Sequence, residues 1–258
     1  MIDKTIGFIG GGRVVRILLG GFKSGGQRLT DVVVSDVHAE TLRKLQETFP
    51  EIQITSDTTQ PAQQDVVFLA LHPPVLGSVL REIKSCLKPH ALLISLAPKH
   101  TIAHLSESLG GFQRIVRMIP NAPSIINEGY NPVACSNQLG ESEKRVLREM
   151  FSVLGECPEV AEETLEAYAL LTAMGPTYLW FQLYALQELG KAFGLTPQEA
   201  MKGVTAMVRG AAATMSKSGL SPEEVMDLIP VKPLADEEAR ITQLYRAKLE
   251  PLFKQLKG

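Results

Sequence analysis

The chain has 258 residues, 45% of them hydrophobic and 21% charged, with a formal net charge of -2. This is ordinary globular composition, enough for one large domain or two smaller ones, and the near-neutral balance without a basic run argues against a general nucleic-acid surface. No apolar run approaches the ~20 residues of a membrane helix, and Cys86, Cys135 and Cys157 lie too far apart for a disulfide framework or metal cluster, so free thiols in a reducing cytoplasm are expected.

The opening "MIDKTIGFIG" enters strand-like sequence at once, with no basic segment of the secretory-leader kind before it. "TIGFIG" reads as a strand and "RVVRILLGGF" as a helix ended by glycines. "DVVVSD" is a second strand, and "AETLRKLQETF" a helix closed by Pro50. "DVVFLAL" and "ALLISLA" are continuous apolar runs, as fully buried parallel strands require. "RIVRMI" and "NPVACS" are weaker strands, and "EKRVLREMFSVLG" is an amphipathic helix. This alternation predicts an α/β, Rossmann-type doubly wound sheet over residues 1–160.

From residue 161 to 258 no convincing strand appears, and an all-helical domain is expected. "TPQE" at Thr196 and "SPEE" at Ser221 each give a capping hydroxyl, a proline at the first helical position and a glutamate three residues after the cap.

"IGFIGGGRVV" contains the sharpest motif. Gly10 and Gly12 fill the first two positions of the dinucleotide fingerprint Gly-x-Gly-x-x-Gly/Ala, with Gly11 between them. The third position is Val15, whose bulk is expected to push the helix away from the sheet. Arg13 in the first helical turn opposes the helix dipole unless an anion binds there. Asp36, ending the second strand, stands where a carboxylate binds the ribose hydroxyls of NAD and repels a 2′-phosphate; capping the next helix is its alternative use.

"IGFIGGGRVV", "DVVFLALHP", "LLISLAP", "RIVRMIPNAP" and "MGPTYLWFQLYALQELGKAFGL" occur in that order, and together they resemble pyrroline-5-carboxylate reductases over roughly residues 4–228. The resemblance implies a Rossmann domain followed by a helical dimerisation domain, with NAD(P)H as cofactor: NADPH by family habit, NADH from Asp36. It implies a nucleotide site of Gly10, Gly11, Gly12, Arg13, Val14 and Asp36. Ala70, Leu71 and His72 would follow the third of the named strands, with Ala97, Pro120 and Asn121 toward the nicotinamide. The implied activity is hydride transfer to a cyclic imino acid or related C=N substrate, in a cytoplasmic homodimer or higher homo-oligomer. A reductase of a 2-oxo acid or deazaflavin cofactor, and a non-catalytic nucleotide-binding dimer, are the alternatives.

The departures are specific. Arg13 and Val14 replace the family's Asn and Met, His72 stands in place of a Lys, and Pro98 and Lys99 replace Ala-Gly. Where the family carries a Ser-Pro-Gly-Gly-Thr-Thr substrate loop, this chain reads "DLIPVKPLADEEA", with no Ser, Gly or Thr between Asp227 and Ala239. Lys99 is therefore the first candidate for an anionic substrate's carboxylate, with Lys232 as a second. His72 is the candidate proton donor. Asn121 is either a nicotinamide contact or a turn residue, and Tyr178 either lines the pocket or packs in a core. No metal site is expected: His100 and His104 are four apart, but no third ligand is evident.

Overall fold

The protein is described by a computed structural model, which covers residues 4–257. Two compact units divide it: residues 4–174 with 253–257, and residues 175–252.

The first unit alternates strand and helix: β1 (Ile6–Ile9), α1 (Arg13–Ser24), β2 (Val32–Ser35), α2 (Ala39–Thr48), β3 (Gln53–Thr55), α3 (Thr59–Ala62), β4 (Val66–Leu69), α4 (Pro73–Ile83), β5 (Leu92–Ser95), α5 (Ile102–Ser108) and β6 (Ile115–Met118). A 3₁₀ turn at Ala122–Ile126 leads to β7 (Gly129–Tyr130), β8 (Val133–Cys135), α6 (Glu141–Phe151), β9 (Gly155–Glu156) and α7 (Leu165–Tyr168). Seven strands form one sheet in the order β3-β2-β1-β4-β5-β6-β8. Every pairing is parallel except β6 with β8. That exception has a simple cause: no helix crosses over between β6 and β8, so the chain returns antiparallel.

The apolar runs became the central strands because both faces are covered. Phe8 and Phe68, in register on β1 and β4, stack at 4.5 Å, and Phe151 of α6 meets Phe68 edge-on at 6.3 Å. β3 escaped the sequence reading because it is a three-residue edge strand with no buried position. α4 escaped it because Pro73 and Pro74 open the helix and Gly77 interrupts its apolar pattern.

The second unit holds α8 (Pro176–Ala192), α9 (Pro197–Lys217), α10 (Pro222–Asp227) and most of α11 (Glu238–Lys257). Among its described residues there is no strand, in keeping with the sequence reading. Both capping boxes form: Thr196 Oγ1 and Ser221 Oγ accept the Glu199 and Glu224 N–H groups, while those glutamates accept the cap N–H in return. The units divide after Met174 rather than at residue 160. Leu165 and Leu170 are buried, and Glu166 pairs with Arg117 of β6, which keeps this segment in the first unit.

Candidate functional site

Strand order reverses between β1 and β4, and in open α/β sheets ligands bind outside the carboxyl ends of strands at such a switch point. The glycine turn lies there. Gly10 has φ +99, and a Cβ on it would stand 2.4 Å from the Ala70 carbonyl oxygen beyond β4. Only glycine fits, and its N–H donates to the Ser35 carbonyl at the end of β2 at 2.7 Å. Gly12 differs: its backbone is extended, it caps α1, and a Cβ there would meet nothing within 4 Å. The Gly12 carbonyl accepts from Val15 and Arg16. The N–H groups of Gly12, Arg13 and Val14 have no acceptor among the described residues. A helix N-terminus with unused donors beside open space fits a pyrophosphate. Arg13 is exposed and Val14 half-buried at this end.

Val15 does not hold α1 away from the sheet. It is fully buried in the core cluster with Phe8, Val34 and Phe68 of the strands. Further along α1, a Cβ on Gly21 would stand 2.3 Å from the Ser124 carbonyl oxygen, so the helix lies close against the 3₁₀ turn.

Asp36 is half-buried, one oxygen accepting the Gly11 N–H and the other the His38 N–H, each at 2.8 Å. The helix-cap alternative does not hold: α2 is capped by His38, without any side-chain bond. The carboxylate instead braces the glycine turn, and its remaining lone pairs can accept from ribose hydroxyls.

Ala70 and Leu71 continue β4 at the same edge, the Ala70 N–H donating to the Ile9 carbonyl at 2.9 Å. His72 is exposed and is the N-cap of α4 by backbone position, but its imidazole makes no capping bond. After β5, Ala97 is buried and Lys99 is exposed with φ 70. Lysine in this left-handed region costs about 1–2 kcal/mol relative to glycine. Strain of this kind gathers at functional turns, and the resemblance places a glycine at this position.

After β6, Pro120 is half-buried and Asn121 is buried. The Asn121 side chain faces inward. Its oxygen accepts the Tyr130 N–H at 3.0 Å, its amide donates to the Thr172 carbonyl at 3.3 Å, and its own N–H donates to Asn131 Oδ1 at 3.0 Å. The side chain thus braces the loop, because these buried groups need partners.

Arg117 belongs to the "RIVRMIPNAP" segment, where the sequence alone assigns it no role. It is 2% exposed on β6, its two terminal nitrogens pairing with Glu162 at 3.0 Å and Glu166 at 2.6 Å. Glu162 also accepts the Ile102 N–H at 2.7 Å, which ties the start of α5 to the network. A lone charge within an apolar strand was the signal available in the sequence.

In the second unit Tyr178 packs edge-on against Tyr245 at 6.0 Å. It lines an apolar cavity of about 440 Å³ with Phe181, Gln182, Leu244 and Lys248. Burial, and then the Tyr245 phenol, push its hydroxyl above the ordinary tyrosine range, so it stays protonated at neutral pH. Lys232 lies in the exposed loop after α10.

Residues 5–99 match the family model described as NADP oxidoreductase coenzyme F420-dependent, and residues 162–233 the one described as pyrroline-5-carboxylate reductase dimerisation. The pyrroline-5-carboxylate reductase of Corynebacterium melassecola is 28% identical over 224 residues, spanning 86% of this chain and 83% of the relative. That of Escherichia coli K12 is 26% identical over 230 residues, spanning 88% and 85%. A solved pyrroline-5-carboxylate reductase from Coxiella burnetii superposes with a TM-score of 0.72 at 28% identity, covering 98% of this chain and 94% of the other. The fold is also shared with Plasmodium falciparum pyrroline carboxylate reductase, solved with NADP bound, at a TM-score of 0.78 and 21% identity, covering 100% and 95%.

Proposed function

The chain is a member of the pyrroline-5-carboxylate reductase family, and on that premise we propose that it is an NAD(P)H-dependent reductase of a cyclic imino acid whose carboxylate is held by Lys99. One observation carries the reading: a glycine turn with unused helix N-terminal donors at the sheet's switch point, with a lysine at positive φ after β5, two strands along the same carboxyl end of the sheet.

The residues fit a dinucleotide. Gly12, Arg13 and Val14 would receive the pyrophosphate and Asp36 the ribose, with Ala70, Leu71, Ala97 and Pro120 along the sheet edge. Bound NAD(P)H supplies the hydride; the protein supplies position and charge. A protonated imine is already electrophilic, so a strong general acid is not required. Lys99 offers the point charge that a substrate carboxylate needs, and exposed His72 is the candidate proton donor.

Asp36 favours NADH, because its charge would meet a 2′-phosphate. Thermal shift with each cofactor tests this, since a ligand that binds only the folded state raises the melting temperature. Stronger stabilisation by NADPH overturns the preference, and none by either overturns the cradle.

We also propose a homodimer at least, built on the second unit. α8 has no buried residue among those described, and Phe181, Tyr184 and Phe193 are 68%, 66% and 80% exposed. A helix apolar over most of its circumference must be covered. Light scattering that finds a stable monomer at micromolar concentration would contradict this. Three free cysteines support a cytoplasmic setting, and no described helix is long and apolar enough to cross a membrane.

The rebuilt loop after α10 favours weak turnover of pyrroline-5-carboxylate itself and better turnover of an anionic relative. NAD(P)H oxidation across a panel of cyclic imines, 2-oxo acids and a deazaflavin is the test. Cofactor binding without turnover of any of them would favour a non-catalytic role. Turnover of pyrroline-5-carboxylate at a rate typical of metabolic enzymes, unaffected by Lys99→Ala, would leave the plain proline-synthesis activity.

A further inference from the structure

His100 directly follows the left-handed Lys99 turn, and Thr101 caps α5 by accepting the His104 N–H at 3.2 Å. This local geometry brings the two imidazoles together. Their Nδ1 atoms are 3.2 Å apart, their ring centroids 5.1 Å apart and their planes inclined by 33°. Two imidazole nitrogens on one tetrahedral Zn²⁺, each at about 2.0–2.1 Å, lie about 3.3–3.4 Å from one another. The pair is thus within a small side-chain adjustment of chelating spacing.

The surroundings suit such an ion. His100 is half-buried and His104 exposed, so the pair is reachable from solvent. Arg117 is the cation that would oppose a metal, and its charge is already met by Glu162 and Glu166. No third His, Cys, Asp or Glu completes a cluster among the described residues. Water would fill the remaining positions, giving an open, exchangeable site.

We propose that His100 and His104 form a two-imidazole site for a borderline divalent transition ion, with Zn²⁺ the best match to their separation. An ion held there would tie the turn carrying Lys99 to the first turn of α5. Imidazole ligands suit Zn²⁺, Cu²⁺ and Ni²⁺, whereas Mg²⁺ and Ca²⁺ prefer oxygen donors.

Calorimetric titration of the tag-free full chain with ZnCl₂, after chelator washing, tests this directly. One-to-one binding is expected, weakened by about tenfold or more in His100→Ala and in His104→Ala. MgCl₂ should give no heat at the same concentrations. Circular dichroism verifies that each variant is folded, and His100→Gln and His104→Gln serve if an alanine variant is not. A Cys86→Ser, Cys135→Ser, Cys157→Ser variant separates imidazole from thiolate binding and should bind as the wild type does. Absence of binding at millimolar Zn²⁺, or binding that survives in the folded double-histidine variant, overturns the proposal.

Discussion

The Asn121 amide donates to the Thr172 carbonyl at 3.3 Å, and residue 176, four positions on, is a proline. In a continuing helix the residue-176 N–H would bond there, and proline has none. The segment Ala169–Ala173 is a π-helix, with Met174 N–H reaching back to the Ala169 carbonyl at 3.0 Å. Asn121→Ala should cost about 1–3 kcal/mol by leaving buried groups unpaired. Pro176→Ala restores a backbone donor, so a double-mutant cycle by denaturant unfolding should show a coupling above about 0.5 kcal/mol. Additive effects would mean that the amide does not replace the missing N–H.

Gly10 and Gly12 should behave oppositely on substitution. Gly10→Ala forces a Cβ onto the Ala70 carbonyl at positive φ and should cost about 1–3 kcal/mol or more in stability. Gly12→Ala meets nothing in the protein and should cost under about 1 kcal/mol. It should nevertheless weaken cofactor binding strongly, because that methyl occupies the space a pyrophosphate would use. Melting temperature without ligand and cofactor titration separate the two effects.

Lys99→Ala should leave stability nearly unchanged, since alanine occupies the same left-handed turn at a similar cost. Lys99→Gly should gain up to about 1 kcal/mol by relieving it. Both should raise KM or lower kcat/KM by roughly 10- to 100-fold on the best panel substrate, as loss of a charge-assisted contact implies. Cofactor affinity should not change. If both variants keep wild-type kinetics, the carboxylate is held elsewhere, with Lys232 next to test.

Arg117→Met should destabilise by about 3–5 kcal/mol, because Glu166 would be left charged and buried. Arg117→Met with Glu166→Met should recover much of that loss, since an apolar pair strands no charge. Chemical denaturation of the two variants makes the comparison. Equal losses would show that packing rather than charge governs this site.

At the opposite edge of the sheet, burial alone would raise the Asp65 carboxyl. Hydrogen bonds from Lys88 and from the Thr5 N–H and hydroxyl outweigh it and hold the pKa at about 2. A folded pKa below the unfolded value of 3.8 stabilises the protein above that value, and the stability is lost as pH falls from about 4 to about 2. Asp65→Asn should flatten the acid limb of the melting-temperature profile in that window. An unchanged limb would show that other carboxylates dominate it.

The sequence by itself determined the elements whose signals are local. Continuous apolar runs specify strands buried on both faces, and Thr196 and Ser221 carry their capping boxes within four residues. Gly10 and Asp36 were legible because a tight turn and a strand-end carboxylate need those residue types at that spacing. Tertiary structure alone decided what depends on distant partners. β3 exists because β2 offers it an edge, and β8 runs antiparallel because no helix crosses over before it. Val15 is accommodated because strand side chains from distant parts of the chain close around it in the core. Asn121 faces inward because Tyr130 and Thr172 leave backbone groups to satisfy. Glu162 and Glu166 join the first unit because Arg117, buried on β6, requires counter-charges. Each of these outcomes turns on a group from elsewhere in the chain filling space, completing a hydrogen bond or neutralising a charge, and no local spacing encodes that.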